Sequence, residues 1–240
     1  MLAWVEWDLP DMPWDATRLR VAPVLPDGGL GEPRTIAGGP GISVGHPAWR
    51  GDGVLHALSD ETAWWNLYAW DGPDGLTGEK RNLAPMDAEI GHPAWVLGGP
   101  PYAFIEDGGL LAVARADGRD GLFRIDADGA VTRLETAWTE IYGLRAQGDR
   151  ALSIGAAPTE GATVARLDAR TGRVTGVLDR SHPVTLDPGV LAVAEPITFP
   201  TGGGATARAL FFPPSNDRFE APEGERPPLI VLSHGGPTGA

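Results

Sequence analysis

The residues with the most chemical content are Ser233-His234-Gly235-Gly236-Pro237, directly after the run Leu229-Ile230-Val231-Leu232. A short run that is apolar at every position, entered from Pro228, has the pattern of a central strand buried on both faces. Two glycines at its end let the backbone turn sharply and approach a ligand with no side chain in the way. Acyl transfer develops negative charge on a carbonyl oxygen, and a rigidly held backbone N–H aimed at that oxygen stabilises it strongly. Pro237 sets φ after the pair and holds the loop. The expected roles are Gly235 and Gly236 as an oxyanion loop, with His234 and Pro237 supporting it. The same residues also fit a plain strand-to-helix turn.

A strand leading into His-Gly-Gly is the oxyanion-loop pattern of α/β hydrolases, whose chemistry also needs a nucleophile, an acid and a base. Gly41-Ile42-Ser43-Val44-Gly45 formally matches the Gly-x-Ser-x-Gly elbow. A nucleophile elbow follows a strand and opens a helix. Here Gly38-Gly39-Pro40 precedes the match, and His46-Pro47 opposes a helix after it. Ser43 is therefore expected to be structural. The five histidines, His46, His56, His92, His182 and His234, show no metal-ligand spacing, and His234 is expected to hold a loop, not to act as the base. Asp117, Asp120, Asp126 and Asp128 are expected at turns, since no calcium-binding loop surrounds them. No cofactor or metal site is expected. Trp64, Trp65, Tyr68 and Trp70 fit either the lining of a substrate tunnel or packing between sheets, with packing the expectation.

The elements that would position such a loop are strands. Gly45-His46-Pro47-Ala48-Trp49 returns as Gly91-His92-Pro93-Ala94-Trp95, a period of 46 residues. Repeats of about 40 to 50 residues built from short strands mark propeller blades. Leu67–Asp71, Leu122–Asp126 and Val164–Asp168 share one form, in which apolar residues alternate with others and an Asp closes the run. That is a strand ending in a turn. A further unit runs from Ile141 through Ala151–Ala156 and Thr163–Asp168 to Val174–Asp179. Leu2 to Asp8 resembles the second strand of a blade with no inner strand before it, so the native chain is expected to begin upstream of Met1. Composition agrees with many short strands: 42% hydrophobic, 34 Gly, 23 Pro and nine Trp, the Gly and Pro spread between apolar runs.

The pattern changes after Asp179. Ala194–Phe199 and Thr206–Phe212 read as strands joined by Thr201-Gly202-Gly203-Gly204, a hairpin signal, and a Pro-rich loop over 213–228 leads to the terminal apolar run. The expected fold is mainly β: a partial β-propeller over 1–181, with about four blades of a seven-bladed ring at 1–38, 39–87, 88–135 and 136–181, the first incomplete. Residues 182–240 are then a linker and the first strands of an α/β-hydrolase domain.

Charge and composition exclude some classes. A formal net charge of −13 disfavours nucleic acid and anionic membrane as partners. With no Cys there is no disulfide framework and no thiolate chemistry. No apolar run approaches the roughly 20 residues of a membrane span. Met1 to Pro10 has no positive segment and carries Glu6 and Asp8, unlike a secretory signal, and a cytoplasmic location is expected.

Pro228 to Pro237 resembles the stretch that opens the catalytic core in bacterial acylaminoacyl peptidases and dipeptidyl aminopeptidases of the prolyl oligopeptidase family. Ser59-Asp60-Glu61-Thr62-Ala63-Trp64-Trp65-Asn66-Leu67-Tyr68 is similar to the blade text of that family, as are Trp7–Asp15 and Ala156–Glu160. The resemblance covers essentially the whole chain in order. It implies a seven-bladed propeller that caps the active site and filters substrates by size, and a hydrolase domain with a Ser, Asp and His triad. It implies a peptide substrate and a serine peptidase activity. All three triad residues are expected after Ala240, so these 240 residues alone are expected not to hydrolyse peptides. Two alternatives stay open: a non-catalytic propeller binding module, against which Leu229 to Pro237 argues, and a carboxylesterase of the same hydrolase fold. The oligomeric state is not specified by the sequence.

Overall fold

The computed structural model describes residues 1–72, 78–92, 98–181, 187–233 and 235. Four antiparallel meanders follow one another along the chain. The first has three strands, β1 (Leu2–Glu6), β2 (Arg18–Ala22) and β3 (Arg34–Gly38). The second has four: β4 (Val44–Trp49), β5 (Leu55–Ser59), β6 (Asn66–Trp70) and β7 (Lys80–Asn82). The third holds β8 (Tyr102–Phe104), β9 (Leu110–Ala116), β10 (Arg119–Ile125) and β11 (Val131–Leu134). The fourth holds β12 (Glu140–Gln147), β13 (Arg150–Ala157), β14 (Glu160–Asp168) and β15 (Val174–Arg180).

The sheets stack face to face as successive blades, with a hydrophobic core in each interval. Leu19 and Val21 of the first sheet meet Val44, Leu55, Ala57, Tyr68 and Trp70 of the second. Leu58 and Leu67 of the second meet Tyr102, Leu110 and Ala112 of the third. Leu111, Val113 and Leu122 of the third meet Ile141, Leu144, Ala165 and Leu167 of the fourth. Successive side chains of a strand point to opposite faces, so one strand feeds two cores. In β9, Leu110, Ala112 and Ala114 go to one interval, and Leu111 and Val113 to the other. This double burial is why Leu110–Ala114 is a continuous apolar run and not an alternating one.

A two-stranded hairpin follows, β16 (Glu195–Pro200) and β17 (Thr206–Phe211). Its connection passes through Gly203 and Gly204, both at positive φ of 72° and 79°, a region that residues with a side chain rarely adopt. The hairpin sits on the β9–β10 turn of the third sheet. Arg208 pairs with Asp117 at 2.9 Å, Arg119 donates to the Ala194 carbonyl, and Leu210 lies over Gly118.

The terminal apolar run differs from its expectation. Leu229, Ile230, Val231 and Leu232 form no strand and are 77–89% exposed. Burial on both faces requires strands along both edges and layers above and below, and the described residues place none of these around the run.

Candidate functional site

Gly235 follows the exposed run and is itself exposed, with open space where a side chain would stand. Gly236, His234 and Pro237 lie outside the described residues. His182 and the second copy of Pro-Ala-Trp, residues 93–95, lie outside as well.

Ser43 has no access to a substrate. It is fully buried at the entry to β4, its hydroxyl donates to the Pro13 carbonyl at 2.5 Å, and its backbone N–H donates to the Asp60 carboxylate at 2.7 Å. A strand follows it, and a nucleophile elbow would open a helix there.

His46 and His56 are packing residues. His46 lies at a bulge in β4 with φ at 51°, and its carbonyl accepts the Tyr102 hydroxyl at 2.6 Å. Its ring meets that of His92 edge to face at 6.5 Å. Burial pushes the His46 pKa down, and the neighbouring His92 adds to this. His56 is buried against Phe104, and that burial pushes its pKa down to about 4. Among the described residues no group of three or more His, Asp or Glu could hold a metal ion.

Asp126 and Asp128 accept or frame turn contacts in the β10–β11 connection, as their spacing predicts. Asp120 does more than make a turn. Only 6% exposed, it accepts from Arg115 at 2.8 Å and from the backbone N–H of Ile141 at 2.8 Å. Ile141 belongs to the next sheet, so this carboxylate joins two blades. Glu89 does the same one interval earlier, accepting the backbone N–H of Trp65 at 2.8 Å. The sequence carried a faint sign of this: Glu89 stands where Ser43 stands in the preceding repeat, and both positions make contacts at sheet entries. The aromatic run divides. Tyr68 and Trp70 are buried between the first two sheets, whereas Trp65 packs partly on the second core and also lines a cavity.

That cavity, of about 370 Å³, lies where the second, third and fourth sheets meet, and Trp65, Glu89, His92, Arg115, Glu140 and Tyr142 are among its walls. Its size falls in the range of small-molecule sites. Strand direction fixes its place. Arg115 is next to the end of β9, Asp120 is next to the start of β10 and Glu140 opens β12, all at the end of the sheets that carries the β9–β10 turn. The hairpin sits on that same turn, so the cavity and the departing chain share one end of the stack.

No protein-family model and no curated protein sequence matches the chain. Solved structures do. A puromycin-hydrolyzing peptidase of Mycobacterium tuberculosis is 35% identical over 94% of this chain and 34% of its own, with a TM-score of 0.85. A puromycin hydrolase is 32% identical over 94% of this chain and 34% of its own, with a TM-score of 0.84. Prolyl oligopeptidase B from Galerina marginata matches 82% of the chain and 27% of its own at 16% identity and a TM-score of 0.61, a likeness of fold alone. The chain spans about a third of the length of the puromycin-hydrolyzing structures. Identity at this level, kept through four stacked blades and the hairpin that follows, has one reading: the chain belongs to the prolyl oligopeptidase family of peptidases.

Proposed function

We propose that this chain is the propeller portion of a serine-type peptidase acting on short peptides, in the manner of an acylaminoacyl or dipeptidyl peptidase. The observation that carries the reading is the 35% identity to a puromycin-hydrolyzing peptidase over 94% of the chain. In this reading the propeller gates substrate entry by size. Gly235 and Gly236 present backbone N–H groups to the scissile carbonyl as it becomes anionic, with His234 and Pro237 holding the loop. In this reading the nucleophile, acid and base come from residues outside 1–240, and Ser43, which matches the Gly-x-Ser-x-Gly pattern in sequence, is sealed in the blade junction and takes no part. A cytoplasmic setting belongs to the same proposal.

The test uses the native gene product, captured from its source cells with an antibody raised against these 240 residues. It is expected to hydrolyse short peptidyl-naphthylamides and to lose that activity on treatment with a fluorophosphonate. A captured, folded protein with no turnover, or with turnover that the fluorophosphonate leaves intact, would overturn the serine-peptidase reading.

A further inference from the structure

We draw no further inference here: the strongest candidate, the cavity of about 280 Å³ between the second and third sheets on the side of the β4–β5 and β10–β11 turns, carries none, because its two guanidinium groups, Arg50 and Arg81, are each engaged by a carboxylate, Asp52 and Asp71, and nothing in the structure selects a ligand for it.

Discussion

His56 shows how a polar residue fits a blade whose two faces are both covered. Its Nδ1 lies 3.2 Å from the Val54 carbonyl, its ring meets Phe104 edge to face at 4.8 Å, and it is 1% exposed. Burial disfavours the imidazolium and outweighs the Val54 carbonyl and the carboxylates of Asp52 and Asp71, which pull the other way. The folded pKa of about 4 lies below the ordinary 6.5. Above pH 6.5 both states are neutral at this residue. As pH falls toward 4, the unfolded chain takes up a proton that the folded chain refuses, so stability falls through that window. Urea midpoints compared at about pH 7.5 and about pH 4.5 should show the wild type losing about 2 kcal/mol more than His56→Phe. Parallel losses in the two proteins would show that His56 is charged or solvated in the fold. Asp120 is a second case of burial with a purpose, and its role was illegible in the sequence. An Asp beside Gly reads as a turn, while the N–H it accepts belongs to a strand 21 residues further on, brought near only by stacking.

At the scale of elements, most strands were legible because alternation followed by Asp or Gly has few other meanings. Leu122–Asp126 and Val164–Asp168 became β10 and β14 on that ground. The hairpin at Gly202–Gly204 was legible from its turn residues. Burial of Leu229–Leu232 was not borne out, because an apolar run sets only what a strand requires and not whether neighbours are present to supply it. Close packing between elements makes its own prediction. Gly155 in β13 faces Trp138, and an added Cβ would lie 1.8 Å from the indole Cδ2. Trp138 is 6% exposed in the core shared by the third and fourth sheets, so it has nowhere to move. Gly155→Ala is expected to cost about 1–3 kcal/mol and to lower Tm by several degrees. A variant that melts at the wild-type temperature would mean that this interval is loosely packed.

The whole molecule is a stack of blades joined by three cores and by carboxylates that reach across to the next sheet. A 46-residue repeat carried that architecture in the sequence, since only a repeated unit that buries itself against its own copies yields such a period. Less of the candidate site was legible. Of the proposed oxyanion loop only Gly235 is among the described residues, and the acidic, aromatic cavity arises where three sheets converge and no local pattern announces it. The most direct measurement is to label the native gene product with a fluorophosphonate and map the modified serine by mass spectrometry. The account predicts one labelled serine, outside residues 1–240, with Ser43 unmodified. A label on Ser43, or on any serine within these residues, would contradict it.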